Sequence, residues 1–358
     1  MSDRFGFTRS RARIERICDR LVESGADARA FRSQILEELR RAVRFDAYAW
    51  LLTDPETAVG AAPVADVPWM AELPRQIGLK YCTTVNRWTA LGDCRVALLY
   101  EATGGDLAQS LIWRELLARH GVHDAASVVF ADRFGCWAFL ELWRAGTVGR
   151  FSRAEAHFLA DLAPPLTVAL RRLQASTFIA RPAQAGPRVG PVVLVLSPEL
   201  QVRGQTAETT EYLRILIPTA PDRTPIPAVA YNVAAQLLAT EAGIDGHAPS
   251  ARVHVANGLW MTARAARLDG PMPSYDHDIA VTLEESSGAE RVDVFGRAFG
   301  LTLRERELIS HLVEGRDTRE VAQRMVVSEN TVQDHLKAIF AKTAARSRRT
   351  LLARALGS

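Results

Sequence analysis

Leu301-Thr302-Leu303-Arg304-Glu305-Arg306-Glu307, then Gly315, then Ser328-Glu329-Asn330-Thr331-Val332-Gln333-Asp334-His335-Leu336-Lys337, decide how the end of this chain folds. Thr302 followed by Glu305 is a capping box, in which hydroxyl and carboxylate each take one otherwise unpaired backbone N–H, so a helix starts at Leu303. Leu308, Ile309, Leu312 and Val313 share one face of that helix, and Gly315 stops it. Thr318 is placed to cap a short second helix that turns Val321, Ala322 and Met325 inward. A tight turn follows at Val326-Val327. Ser328 then caps a longer helix with Val332, Leu336, Ile339 and Phe340 on its buried face. Short helix, tight turn, longer helix is the arrangement in which the last helix enters the major groove of DNA.

Charge agrees. Phe299 to Ser358 holds 11 basic and 7 acidic residues, a net of +4, whereas the whole chain is only +3. Positive charge gathered in one segment is the electrostatic footprint of a phosphate-binding module.

The segment resembles the LuxR-type (GerE-like) helix-turn-helix domain of bacterial transcription factors. The matching residues are Leu301-Thr302, Arg304-Glu305, Glu307, Gly315, Val321-Ala322, Ser328, Thr331-Val332, His335-Leu336, Ile339-Phe340, Lys342 and Arg348. The resemblance implies a four-helix domain over residues 297–358, binding to double-stranded DNA as a homodimer, and dimer contacts through the last helix. Leu351, Leu352 and Ala355 are the expected dimer residues, with packing on the domain's own first helix as the alternative. It also places Glu329, Asn330, Gln333, Asp334 and Lys337 toward base edges. Phosphate contacts are expected from Lys337, Lys342, Arg346 and Arg348, with Ser328 and Thr331 at the helix start. Gln bonds adenine bidentately and a carboxylate accepts from the cytosine amine, so Gln333 and Asp334 are the expected base readers. The alternative for Asp334 is that it points to solvent or forms an ion pair with Lys337 or Arg324. Gln333, Asp334 and Thr343-Ala344 depart from the family's usual residues.

At 358 residues the chain has room for two or three domains. Its hydrophobic content of 48% and charged content of 24% are those of an ordinary soluble protein. Cys18, Cys82, Cys94 and Cys136 show no metal-binding spacing and read as reduced thiols of a cytoplasmic protein. No segment resembles a signal peptide or spans a bilayer.

Upstream, Ser10–Glu23 and a stretch from Asp27 to Val43 carry apolar residues at helical spacing. Tyr48, Trp50 and Leu52 alternate as a strand does. Pro55–Pro68 reads as loop and Leu107–His120 as helix. Residues 127–130 and 136–140 form a hairpin signal, and Ser152 with Glu155 opens a helix that Pro164-Pro165 should kink or split. This order resembles a GAF domain, over residues 1–175. Such a resemblance implies a small antiparallel sheet and a ligand-sized cavity. Six tryptophans fall in this region, and Trp50 or Trp137 is expected to line a pocket between the sheet and the segment Pro63–Leu91.

Residues 176–191, rich in Pro and Gly, read as a linker. Residues 192–290 resemble a PAS domain: a strand at Val192–Leu196, helices at Thr206–Ile217 and Ala228–Glu241, strands at Arg252–Ala256 and Leu259–Leu268 joined by Asn257-Gly258, and a strand at Ile279–Leu283. The fold class expected is thus α+β multidomain, with two antiparallel-sheet modules followed by an all-α domain.

Catalytic motifs are missing. There is no G-x-S-x-G elbow and no phosphate-binding loop. His120 and His123 fall at a helix end, and Asp276-His277-Asp278 in a loop, so neither reads as a metal site. No histidine is placed for a heme, and no cofactor or metal is expected. The reading is a regulator rather than an enzyme, with a small-molecule effector or a protein partner at its N-terminal modules, and RNA polymerase as a downstream partner.

Overall fold

The computed structural model describes all residues except 1, 26, 93, 148, 180–191, 211, 212, 214–226, 257, 269–275 and 358. Helices α1 (Ser2–Glu23) and α2 (Ala28–Ala42) precede β1 (Ala47–Thr53) and β2 (Gly60–Asp66). Then follow α3 (Leu73–Cys82), β3 (Val96–Leu98), α4 (Leu99–Ala102), α5 (Leu111–Glu115), β4 (Val122–Asp132), β5 (Gly135–Ala145) and α6 (Arg153–Ser176). The five strands form one sheet in the order β2-β1-β5-β4-β3, every neighbour antiparallel.

Two expectations fail in this region. The supposed loop Pro55–Pro68 contains β2, hidden because Gly-Ala-Ala-Pro-Val-Ala-Asp has weak strand propensity and a proline. Pro63 is tolerated because β2 lies at the sheet edge. The helix expected over Leu107–His120 is broken into short turns, because Ser110 and Leu116 leave helical backbone geometry. Pro164-Pro165 do not split α6.

Where β1 and β2 slip register between Trp50 and Leu52, Arg32 of α2 enters, 2% exposed, and donates from Nη1 to Trp50 O (2.8 Å) and Ala62 O (2.7 Å). A buried donor thus serves carbonyls at the irregularity. Burial pushes this guanidinium down to about 9. At the β4–β5 turn, Gly135 has φ +148°, and a Cβ there would lie 2.1 Å from Pro55 O, so no other residue fits.

The second sheet comprises β6 (Val192–Leu196), β7 (Val202–Gln205), β8 (Ser250–Ala256), β9 (Leu259–Arg267) and β10 (Ile279–Glu285), with α7 (Ala228–Glu241) between β7 and β8. Its order, β7-β6-β10-β9-β8, repeats that of the first sheet. Strand β7 was not legible in the sequence: all four residues are exposed and Gly204 interrupts it. Of the helix expected at Thr206–Ile217 only residues 206–210 and 213 are described, and of the linker expected over residues 176–191 only 176–179, with Ser176 ending α6; Asn257 lies outside the described residues.

The first sheet and the second, except residues 254–261 of β8 and β9, belong to one compact unit (residues 1–170, 189–253 and 262–284). Buried ion pairs join them. Asp54 Oδ2 accepts from Arg252 N (2.8 Å) and Nε (2.6 Å), and Oδ1 from Arg252 Nη2 (2.8 Å). Arg87 Nε donates to Asp245 Oδ2 at 2.9 Å and its Nη2 to Gln236 of α7 at 3.0 Å. Burial works against the Asp54 carboxylate, but the hydrogen bonds and charge of Arg252 hold its pKa below the usual range.

The second unit gathers the end of α6, residues 254–261 and everything from Glu285. It contains α8 (Gly288–Ala298), α9 (Leu303–Val313), α10 (Thr318–Met325), α11 (Glu329–Thr343) and α12 (Arg348–Leu356). Ser287 and Glu290 form a capping box for α8, a helix that sequence reading missed. Phe178 stacks on Trp260 at 5.0 Å and meets Phe295 edge-on at 5.4 Å, while Phe295 reaches Phe299 at 4.5 Å. This aromatic cluster draws on all three pieces of the unit.

Candidate nucleic-acid interface and N-terminal cavity

Thr302 and Glu305 form the expected capping box of α9, with Glu305 N donating to Thr302 Oγ1 (3.3 Å) and Thr302 N to Glu305 Oε2 (2.7 Å). Leu308, Ile309 and Leu312 are buried; Val313 is half-buried. Helix α10 is capped by Asp317 and not by Thr318: Asp317 Oδ1 accepts from Glu320 N at 2.8 Å. A carboxylate one residue earlier offers the stronger acceptor at a helix N-terminus. The turn is made by Val326 in left-handed geometry (φ +56°), its side chain 88% exposed. Ser328 caps α11 by accepting from Thr331 N at 3.1 Å.

Val332, Leu336 and Ile339 anchor α11 with no more than 6% exposure, so the opposite face is free to solvent. Glu329, Asn330, Gln333, Asp334 and Lys337 are all exposed on it. Thr331 is half-buried, its hydroxyl 2.9 Å from that of Ser328. Lys337 Nζ lies 3.1 Å from Asp334 Oδ1, both side chains more than 70% exposed, a surface pair of small energy.

The basic residues differ in their freedom. Arg346 is exposed and, among the described residues, has no polar partner. Lys342 donates to both carboxylate oxygens of Glu305 at 2.8 and 2.6 Å. Arg348 donates to the carbonyl of Arg316. Of the three residues expected at a dimer contact, Leu351 and Ala355 are fully buried inside the domain. The geometry corrects that expectation: these two side chains fill the core under α8 and have no surface to offer. Leu352 remains half-buried, in a shallow depression with Arg348, Arg349 and Ala353.

The first sheet carries a cavity between its face and the segment that follows Pro63, smaller than the ligand-sized one expected there. It encloses about 60 Å³. Leu51, Phe139, Glu141 and Trp143 form the sheet wall, with Gln76, Ile77, Lys80 and Tyr81 of α3 opposite and Asn232 of α7 at the end. Neither Trp50 nor Trp137 lines it. Strand side chains alternate, so Ala49 and Leu51 face the cavity and Trp50 faces away, stacked on Phe130 at 5.2 Å. Trp137 is held near the hairpin turn, its Nε1 donating to Asp132 Oδ1 at 3.0 Å.

Lys80 Nζ pairs with Glu141 Oε1 at 2.5 Å, so the charges in the wall neutralise each other. Sequence reading missed Asn232. Its signal was an amide within the apolar run Ala228-Val-Ala-Tyr-Asn-Val-Ala-Ala, where a buried polar side chain needs a partner.

His120 Nε2 lies 3.0 Å from Glu72 Oε1 and its ring packs on Trp69. His277 has its carbonyl bound by Arg267 Nη1 at 2.7 Å. Among the described residues no group of three His, Cys, Asp or Glu side chains could hold a metal, and no helix is long and apolar enough to cross a membrane.

The C-terminal helices therefore form a helix-turn-helix domain with a polar face on its recognition helix. Residues 300–355 match the GerE family, described as bacterial regulatory proteins of the luxR family, and this part of the chain is a DNA-binding domain of that family. No curated protein matches the chain. Among solved structures, the crystal structure of Escherichia coli SdiA aligns over 96% of this chain and 96% of its own, at 12% identity and a TM-score of 0.29. The sensor region of a sensor histidine kinase aligns over 61% of this chain and 93% of its own, at 14% identity and a TM-score of 0.17. At such scores neither likeness bears on the fold.

Proposed function

We propose that the protein is a cytoplasmic, sequence-specific transcription regulator whose helix-turn-helix domain is governed by its two N-terminal sheets, acting as GAF-like and PAS-like sensory modules. The observation that carries the reading is the family match over residues 300–355 together with the exposed face Asn330, Gln333, Asp334 and Lys337 on α11. Base edges are read from that face, with Ser328 and Thr331 at the helix start near the phosphates. Arg346 is the foremost phosphate ligand; Lys337, Lys342 and Arg348 serve only by leaving their present partners. The protein acts as a homodimer, and Leu352 is the apolar residue that α12 has left for a partner copy. A small effector at the first sheet's cavity sets DNA affinity.

The test is a binding selection on random duplex DNA with the full chain. An enriched motif of two related half-sites, spaced by about one helical turn, is expected of a dimeric reader. Binding without any enriched motif would refute the sequence-specific reading.

A further inference from the structure

Asn232 is 1% exposed, and its Nδ2 donates to Ala228 O at 2.7 Å. That bond fixes the amide's orientation, because the carbonyl of Ala228 accepts only from nitrogen. Asn232 Oδ1 is then left buried without a hydrogen-bond partner. It lies against Gly60, and only a glycine leaves it room: an added Cβ would lie 3.0 Å from Oδ1, 2.7 Å from Leu51 Cδ2 and 3.3 Å from Phe139 Cε1. Leu51, Phe139 and Asn232 all line the cavity. A buried acceptor without a partner costs about 1–3 kcal/mol, and a donor from a bound molecule recovers it.

The geometry points to a composite ligand site that takes a small, uncharged, mainly apolar molecule and receives its one hydrogen-bond donor at Asn232 Oδ1. The rest of the wall agrees with this class. Leu51, Ile77, Phe139 and Trp143 offer apolar surface. The Lys80–Glu141 pair is already neutralised, so it calls for no charged ligand. At about 60 Å³ the space as it stands admits a molecule of a few non-hydrogen atoms. A carbonyl-only compound would set one acceptor against another.

The site is composite because its acceptor comes from the other sheet's helix. One turn beyond Asn232, Gln236 of α7 takes Arg87 Nη2 at 3.0 Å, and Arg87 packs over Trp88 at 4.8 Å. A molecule in the first sheet's cavity therefore acts on a helix that leads into β8. This inference rests on the effector reading above and adds the ligand's chemistry and the residue that selects it.

The experiment uses the full chain with 2-propanol and acetone, probes of the same size that differ in carrying a donor. Binding is read by ligand-observed NMR titration on wild type, Asn232→Leu and Asn232→Ala. In wild type, 2-propanol is expected to saturate and to be favoured over acetone by about tenfold, the worth of one hydrogen bond to a buried acceptor. Both variants should bring that ratio near unity, and agreement between a size-matched and a smaller side chain excludes a misfolded variant as the cause. Absence of saturable 2-propanol binding, equal binding of the two probes in wild type, or a preference that survives in both variants overturns the inference. DNA binding by the same wild-type preparation, followed by fluorescence anisotropy, separates failure of this site from failure of the regulator reading.

Discussion

The ammonium of Lys342 lies 2.6 and 2.8 Å from the two carboxylate oxygens of Glu305, tying the end of α11 to the capping box of α9. Burial raises the Glu305 pKa, but the hydrogen bonds from Lys342 and Thr302 outweigh it and hold the carboxyl below its usual range. Lys342 therefore acts first as a strut. Lys342→Met is expected to lower unfolding free energy by about 1–3 kcal/mol, the cost of a buried charged acceptor that loses its donor. Its DNA affinity should keep the wild-type dependence on salt, whereas Arg346→Ala should reduce that slope by about 0.9. Chemical denaturation and salt titrations of binding read the two effects separately.

Arg252→Met leaves the Asp54 carboxylate buried opposite a thioether. Removing one member of a buried ion pair costs about 3–5 kcal/mol. Asp54→Asn in the same chain should recover part of that loss, since the uncompensated charge disappears. A urea midpoint for the double variant below that of Arg252→Met would contradict this account of the joint.

Stability should fall with acid. Asp54 and Asp245 have folded-state pKa values below their unfolded ones: burial opposes ionisation in both, but Arg252 outweighs it at Asp54, and Thr89, His247 and Arg87 at Asp245. Their contribution is complete above the usual carboxylate value of about 4 and is lost as pH drops through the lower folded values. His254 adds a second window. Burial first, then the charge of Arg291, pushes its pKa down to about 4, so the unfolded chain binds a proton there earlier than the folded one. Melting temperature should therefore decline from about pH 6.5 downward. His254→Gln should flatten the curve between pH 6.5 and 4 while leaving the steeper fall below it.

Asp334→Ala separates base reading from charge. If Asp334 accepts from a cytosine amine, selection on random DNA should show a relaxed preference at one base pair per half-site, worth about 1–3 kcal/mol. The ion pair with Lys337 gives the opposite expectation, a uniform gain in affinity with the motif unchanged, because the removed carboxylate no longer repels phosphate.

Leu352→Asp in the full chain should weaken self-association in sedimentation velocity without changing the melting temperature by more than a degree or two. Leu351→Asp serves as the contrast: its side chain is fully buried, and the variant should unfold the domain.

Much of this was written in local patterns. Capping boxes named the starts of α6 and α9, and apolar spacing named the buried faces of α1, α2 and α11. Weak or composite signals were not legible. Strand β2 has small residues and a proline, β7 is wholly exposed, and Asp317 outcompetes Thr318 as a cap although both fit the pattern. The cavity's location followed from element order, but its lining depended on strand parity, which Trp50 lost by one position. Asn232 could be found only once α7 was seen to reach another sheet, a contact between residues far apart in sequence.

The aromatic cluster of Phe178, Trp260, Phe295 and Phe299 has a consequence for how this protein can be recombined. The last sixty residues look like a cassette that could be transplanted whole. Yet the hydrophobic seal beneath them is woven from three stretches of chain, the first of them more than a hundred residues upstream of α9. A chimera joined at residue 297 would inherit the reading head and leave Phe299 without the rings it packs with. Exchange among such proteins would therefore preserve function best when Phe178 and Trp260 travel with the helices they cover.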